Sequence, residues 1–367
     1  MQRAKKIFVS VSSDLSTDQR VQKTCRSLVK GGYSVELIGR RLPSSKPLKN
    51  EIFRQYRLNL PFTKGAAFYA TFNIALFIRL LFSKVDILYA NDLDTLPANY
   101  LIAKLKQIPL IYDSHEYFTE VPELQKRKKV KKIWERIEKR ILPNLKYAIT
   151  VSKRIAEAYQ SKYGLKMRLV RNFPNKEEAT IVQTKKRQII YQGALNLGRG
   201  LEDLLQAMPF VENAYLVIAG GGDLEEQLKE LRDRLELQEE VQFLGRVDPI
   251  DLKKQTQKSM LGVSLEKDLG LNYRFALPNK LFDYLQAATP ILYANLVEFK
   301  DLIQGVAVGE ELESRKPELL AKQINRMLDS ISQKEWQANC LKLAEVYTWE
   351  KEEVVLLKLL KEVEQNA

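Results

Sequence analysis

Cysteine and histidine are nearly absent from this chain of 367 residues. The two cysteines, Cys25 and Cys340, stand far apart without metal-ligand neighbours, and there is a single histidine, His115. That scarcity argues against a disulfide scaffold and a Cys/His zinc site, and it fits a reducing, cytoplasmic compartment. Uninterrupted apolar runs of membrane-spanning length are also missing. The nearest, residues 65–82 (GAAFYATFNIALFIRLLF), contains Thr71, Asn73 and Arg79, and an arginine near a bilayer centre is costly. A helix packed on a sheet is the better reading of it. At the beginning, MQRAKKIFVSVSSD puts basic residues before an apolar run too short for a signal-peptide core, which reads as a first strand. The loop after that strand, SSDLSTDQ, has no glycine. A nicotinamide oxidoreductase would want G-x-G-x-x-G there, so that class is disfavoured.

What the chain does have is apolar residues, 45% of the total, enough at this length to bury two cores of ordinary size. It also has positive charge, unevenly placed. Of a formal net charge of +13, residues 1–171 hold 34 Lys and Arg against 14 Asp and Glu, whereas the rest is acidic. The densest stretch is KRKKVKKIWERIEKR, residues 126–140, in which Val130, Ile133, Trp134, Ile137 and Ile141 recur at helical spacing beneath a basic face. Such a helix suits an anionic membrane surface, and equally a helix docked through Trp134 with solvated lysines outside. No nucleic-acid module accompanies the charge, so nucleic acid is not an expected partner.

Short apolar runs alternate with helical patterns along the whole chain. Strands are predicted at 5–12, 33–39, 85–91, 109–114 and 147–152, with helices between them, including 18–32, 62–82 and the basic segment. After RLVRNFPN (168–175) and a charged stretch to Arg187 that reads as a linker, the alternation restarts. Strands are predicted at 187–193, 214–222, 241–245, 260–265 and 289–294. Strand-helix alternation implies parallel sheets flanked by helices, hence an α/β chain of two Rossmann-like units. Ligands of open parallel sheets bind at the carboxyl ends of the strands, so two such units facing a central cleft direct attention to the loops after strands.

In the second half those loops are QGALNLGRGLEDLL (192–205), AGGGD (219–223) and LPNKLFDYLQAATPIL (277–292). The last opens a helix at Pro278. Asn279, Lys280 and Leu281 then offer unpaired N–H groups and positive dipole to a phosphate, and Asp283 offers two oxygens to a vicinal diol. Arg199 lies between glycines that permit close backbone approach before the helix, whereas AGGGD alone is a weak signal, since glycine turns after strands are common. Together they suggest a nucleotide diphosphate at a helix N-terminus with the acid on its ribose. Each residue also has a bland reading: Pro278 as an ordinary helix starter, Lys280 as a solvated charge, Asp283 as a dipole partner. In the first half, YDSHEYFTE (112–120) puts His115 and Glu116 directly after a strand. ANDLDTLP (90–97) adds Asp92 and Asp94, a D-x-D in which Asp94 is expected to cap a helix rather than hold a metal. In SSDLSTDQRV (12–21), Ser16, Thr17 and Asp18 are the candidate caps of the following helix, and Arg20 can face the cleft.

Taken together and in this order, SDLSTDQRV, ILYANDLDTLP, YDSHEYFTE, YQGALNLGRGLEDLL, VIAGGGD, VQFLGRV and the stretch from Leu277 resemble the retaining nucleotide-sugar glycosyltransferases of family 4 over nearly the full length. The resemblance implies the GT-B fold, with a 1–172 acceptor domain, a 173–346 donor domain, and a last helix, 347–367, crossing back onto the first. It implies transfer with retention of anomeric configuration, from a nucleotide-diphosphate sugar as co-substrate and without an obligatory metal, in surface polysaccharide or glycolipid synthesis. His115 and Arg199 are the implied catalytic residues. Gly193, Arg199, Gly221, Asn279, Lys280, Leu281 and Asp283 are implied at the donor, and Thr17, Arg20, Asp92 and Glu116 at a sugar or lipid-linked acceptor. Two family positions differ: Ala194 stands where an arginine is usual, and Phe275, eight before Asp283, where many members have the first of two acids. Glu266 follows a strand as that acid does, but its spacing to Asp283 is wrong, and no role is carried to it. The departures keep open a degenerate nucleotide-sugar-binding protein. A nucleotide-sugar epimerase shares the architecture, but would use several acid–base residues where this chain has one histidine. The basic first half points to peripheral association with the inner face of the cell membrane.

Overall fold

A computed structural model describes residues 3–16, 18–176 and 185–366. The chain divides into two compact units, residues 1–172 with 350–367, and residues 173–349. Most of the predicted linker, 177–184, lies outside the described residues.

The first unit is a seven-stranded parallel sheet. Its strands are β1 (Lys6–Asp14), β2 (Ser34–Arg40), β3 (Arg54–Leu58), β4 (Ile87–Asn91), β5 (Leu110–Ser114), β6 (Tyr147–Thr150) and β7 (Arg168–Leu169), in the order β3-β2-β1-β4-β5-β6-β7. β4 and β5 are buried along their whole length, as strands covered by helices on both faces must be. The order reverses between β1 and β4, so the crevice for a ligand opens beyond their carboxyl ends. The edge strand β3 was not predicted. Its sequence, RQYRL, has no apolar run, and four of its five side chains reach solvent.

The helix Gly65–Leu81 packs beside Asp92–Lys106, which in turn meets the basic helix Lys128–Ile141. Pro97 interrupts the second of these, and the neighbouring helix mends the break. The Asn73 amide donates to the Asp94 carbonyl at 2.8 Å and accepts from Ala98 N at 3.1 Å, replacing the bond that the proline ring displaces. Trp134 holds the basic helix down, edge-on to Tyr69 and Phe118 at centroid distances of 5.2 and 5.1 Å. Glu138, on the same buried side, accepts from Thr119, Tyr159 and Tyr163. The helix Trp349–Gln365 belongs to this unit, with Glu352 accepting from Arg171 N at 2.8 Å and Leu357 against Gly31.

The second unit is a six-stranded parallel sheet of β8 (Lys186–Gln192), β9 (Tyr215–Ala219), β10 (Val241–Gly245), β11 (Ser259–Ser264), β12 (Ile291–Tyr293) and β13 (Gly309–Glu311), ordered β10-β9-β8-β11-β12-β13. Its reversal lies between β8 and β11. The helix Asn279–Gln286 is packed there through Leu281, Phe282, Tyr284 and Leu285, and Tyr284 ties it to the strand ends. The Tyr284 hydroxyl reaches the carbonyls of Ile190 and Val263 at 3.2 Å each, and its ring lies where a Cβ on Gly262 would be, 2.7 Å away. Lys280, one turn earlier, is thereby aimed at the same strand ends.

Candidate functional site

One polar cluster stands at the switch point of each sheet. In the first unit it is built on His115. Asp92 follows β4 in a left-handed conformation (φ 58°), which an aspartate tolerates better than most residues. That turn swings its carboxylate to the chain after β5, where it accepts from His115 N at 2.8 Å and lies 3.3 Å from Nδ1 of the ring. On the other side, Nε2 is 3.3 Å from Asp113, which is wholly buried. Burial disfavours charge on the imidazole, but the two carboxylates outweigh it and push His115 up to about 9. At neutral pH the ring is therefore an imidazolium with a carboxylate at each nitrogen. It can donate hydrogen bonds and hold charge, and it is poorly suited to accept a proton.

Asp113 also receives two bonds from Arg20 Nη2, at 2.9 and 3.2 Å, and one from the Tyr89 hydroxyl at 2.8 Å. Burial works against its charge, yet Arg20 and His115 keep it well below the usual carboxylate range. Arg20 thus departs from its expected placement. It is 6% exposed, and the same Nη2 donates to the Val170 carbonyl, so its reachable partner is Asp113 rather than solvent. Asp94 also departs. The cap position is Asn91, and Asp94 falls inside the first turn, because the helix begins at Asp92. Asp94 accepts from the Ser12 hydroxyl, and burial together with neighbouring Asp92 pushes it up to about 7. Glu116 is partly exposed beside the cluster, its carbonyl accepting from Ser114. Thr17 lies outside the described residues.

In the second unit the arrangement centres on Glu266. Its carboxylate, almost completely buried, accepts from Lys280 Nζ at 2.8 Å and from Ser264 Oγ at 2.7 Å, with Arg199 Nη1 at 3.7 Å. Burial disfavours its charge, but Lys280, Ser264 and Arg199 hold the group below its ordinary value. Lys280 is 7% exposed and lies 4.1 Å above the Tyr191 ring; Arg199 lies 5.3 Å over Tyr273. Glycine brings the arginine here. Gly200 has φ 73°, and a Cβ on it would lie 2.2 Å from the Leu265 carbonyl, so the 198–200 loop presses directly against the chain leading to Glu266. Lys267 N bonds the Gly198 carbonyl at 2.8 Å and completes the contact.

Gly193 lies beside Lys280, where a Cβ on the glycine would stand 3.7 Å from the lysine Cε, while the Gly221 carbonyl accepts from Leu195 N and ties the two glycine loops together. Asp283 accepts from Gln192 Nε2 at 2.7 Å, and Thr256 orients that glutamine by donating to its oxygen. Asn279 is exposed at the helix start. Leu281 is fully buried, and its amide already bonds the Pro278 carbonyl at 3.2 Å. Sequence reading thus brought together Gly193, Arg199 and Lys280, and placed His115 with Asp92. It missed Asp113, hidden in an apolar strand, and withheld a role from Glu266. Among the described residues, no group of three or more His, Cys, Asp or Glu side chains is set to hold a metal ion, and no helix is long and apolar enough to cross a membrane.

Comparison with known proteins agrees with this architecture. Residues 18–177 match the model of Glycosyltransferase Family 4, and residues 172–342 that of Glycosyl transferases group 1. An uncharacterized glycosyltransferase of Methanocaldococcus jannaschii is 28% identical over 192 residues, which are 50% of this chain and 47% of that protein. The match therefore spans about half the length of this curated relative. Among solved structures, sucrose-phosphate synthase of Thermosynechococcus elongatus superposes with a TM-score of 0.78 at 16% identity, covering 99% of this chain and 100% of that one. A glycosyltransferase of Rickettsia africae gives 0.74 at 16%, covering 100% of both. Anabaena HepE, solved with UDP and glucose, gives 0.72 at 12%, covering 99% and 100%. With two parallel-sheet units and these two family matches in succession, the chain belongs to the glycosyltransferases of the GT-B fold.

Proposed function

We propose that the chain transfers a sugar from a nucleotide-diphosphate donor with retention of anomeric configuration, in the synthesis of a surface polysaccharide or glycolipid. The observation that carries this reading is the convergence of Lys280 and Arg199 on one buried carboxylate, beside Gly193 and the start of helix Asn279–Gln286. Two cations, a glycine turn and a helix N-terminus are what a leaving diphosphate requires. They supply the positive charge that a metal ion provides elsewhere, so the transfer needs no obligatory metal. Asp283 holds the ribose, with Asn279 and Gly221 as backbone neighbours of the diphosphate. Glu266 sets the two cations and is the acid that replaces the one missing at Phe275.

In the first unit His115 serves transfer as a fixed cation and donor. Asp92 and Arg20 act through it and through Asp113, and Glu116 and Thr17 meet the acceptor. The basic charge of that unit favours an anionic, lipid-linked acceptor at the inner face of the cell membrane. HepE was solved with UDP-glucose, which makes a uridine diphosphate sugar the first donor to test.

A thermal-shift screen of nucleotide-sugars should find one that raises Tm, since a ligand of the native state stabilises it. With that donor, Arg199→Ala should lower turnover by roughly 10²-fold, the scale of removing one oxyanion donor. His115→Ala should spare nucleotide binding and impair transfer. Unchanged turnover in a folded Arg199→Ala protein would remove Arg199 from the mechanism, and inverted product stereochemistry by NMR would overturn retention.

A further inference from the structure

The chain that leaves β11 carries Leu265 and Glu266 on buried backbone that belongs to no helix or strand. Carbonyls in such a place need bonding partners, and whatever supplies them fixes the course of the chain. One side chain does so here. Arg315, in the segment between β13 and helix Pro317–Leu328, donates through Nη2 to the Glu266 carbonyl at 2.8 Å and through Nη1 to the Leu265 carbonyl at 3.0 Å. The same Nη1 donates to Asp203 Oδ2, also at 3.0 Å. A planar fork with donors on both terminal nitrogens suits two successive carbonyls, and a lysine could not reproduce it.

Asp203 closes the arrangement. It stands in the first turn of helix Leu201–Ala207, where the helix dipole favours an acid, directly after the 198–200 turn that brings Arg199 in. Its other oxygen, Oδ1, accepts from Lys267 Nζ at 2.8 Å. One carboxylate therefore holds two cations, the side chain that follows Glu266 and the side chain that grips the Glu266 carbonyl. Asp203 is 15% exposed, so these bonds are better shielded from water than those of an open surface pair. The segment 265–267 is thus fastened to the Arg199 turn on both sides of Glu266.

What this fastening sets is a distance. Arg199 Nη1 lies 3.7 Å from Glu266, beyond hydrogen-bond length, whereas Lys280 bonds the same acid at 2.8 Å. Glu266 by itself therefore does not fix Arg199 as it fixes Lys280. Among the described residues, Arg199 Nε is a buried donor without a hydrogen-bond partner, as befits a cation meant for a ligand. We propose that Arg315 and Asp203 are positioning residues for the transfer. They hold the main chain around Glu266 against the turn that carries Arg199, and so set the spacing at which Arg199 and Lys280 receive the diphosphate. The inference rests on the proposed role of those two cations and adds residues that reach the reaction only through them.

The test is a double-mutant cycle on the full chain. It is read by calorimetric binding of inorganic pyrophosphate, which stands in for the donor's diphosphate, and by turnover of the nucleotide-sugar that the thermal-shift screen selects. Arg315→Ala should weaken pyrophosphate binding and lower turnover by about 10- to 100-fold, the scale of a misplaced catalytic group. Asp203→Asn, which keeps the size and removes the charge, should act in the same direction with a smaller loss. Because Arg315 acts through Arg199, combining Arg315→Ala with Arg199→Ala should slow turnover by no more than about twofold beyond Arg199→Ala alone. Guanidinium ion at millimolar concentration, far below what unfolds a protein, should restore part of the turnover of Arg315→Ala, a response that a merely stabilising residue would not give. Turnover within about twofold of the native protein in folded Arg315→Ala, or a loss that multiplies with that of Arg199→Ala, overturns the proposal. Should Arg315→Ala fail to fold, Asp203→Asn enters the same cycle with the same criteria. Unchanged turnover in Arg199→Ala defeats the diphosphate reading and this inference with it, whereas a slow Arg199→Ala beside a fully active Arg315→Ala defeats the positioning role alone.

Discussion

The two units put opposite charge patterns at equivalent places in the same architecture. At the switch point of the first sheet a cation, His115, is held between two carboxylates; at that of the second a carboxylate, Glu266, is held between two cations. The backbone explains why both clusters stand where they do, because strand order alone opens a crevice at each reversal. It does not explain the sign. The side chains do: an anion-lined imidazolium suits hydroxyl groups that need a donor, and a cation pair beside a glycine turn suits a diphosphate. Equivalent positions in a repeated fold were thus given complementary electrostatics, and function follows the charges rather than the sheet.

The largest effect should come from taking one cation out of the second cluster. Lys280→Ala leaves Glu266 buried, with Ser264 still donating to it and Arg199 as its remaining, more distant cation, and breaking a buried pair in this way costs about 3–5 kcal/mol. Urea denaturation should show a lowered midpoint at unchanged slope. Adding Glu266→Gln to Lys280→Ala should restore part of the loss, since the uncompensated charge is then gone. A double variant no more stable than Lys280→Ala alone would break the comparison, because Glu266 would not then be the centre of the cluster.

The next effect is a pH dependence belonging to the first cluster. His115 has its folded pKa raised from 6.5 to about 9. Its contribution is therefore complete below pH 6.5 and is lost as pH rises through about 9, a window worth about 3 kcal/mol of stability. Because the chain has only one histidine, a single imidazole resonance reports its titration without ambiguity. The midpoint should lie near 9 in the native protein and fall in Asp92→Asn. A midpoint at the ordinary histidine value would mean that the carboxylates do not clamp the ring, and the contrast between the units would disappear.

Much of the fold was legible because buried parallel strands are apolar runs. ILYAN and LIYDS stand out at once, whereas edge strand β3, with its exposed RQYRL, carries no such signal. Motifs located both clusters, since Gly193, Arg199 and Lys280 lie in loops after strands, and so do Asp92 and His115. Partnership was harder to read. Glu266 meets Lys280, 14 residues on, because Tyr284 ties the helix that carries Lys280 to the strand ends. Arg20 finds Asp113, 93 residues away, across the sheet. Asp94 is not the cap expected of it because the left-handed turn at Asp92 starts the helix early, and local sequence gives no warning of that turn.

That displaced aspartate offers the most discriminating prediction. Buried next to Asp92, Asp94 has its folded pKa raised from 3.8 to about 7. The sign is that of a group that favours folding when protonated: its contribution is complete below pH 3.8 and is lost as pH rises through about 7. Asp94→Asn cannot ionise, and its amide oxygen can still accept from Ser12. The variant should therefore gain on the native protein as pH rises from about 4 to about 8. Loss of an anion that attracts the His115 imidazolium should also move the imidazole midpoint downward. A variant less stable at the alkaline end of that range, or an imidazole midpoint that does not move, would show that Asp94 is not electrostatically part of the first cluster. The charge asymmetry between the two units would then rest on Asp92 and Asp113 alone.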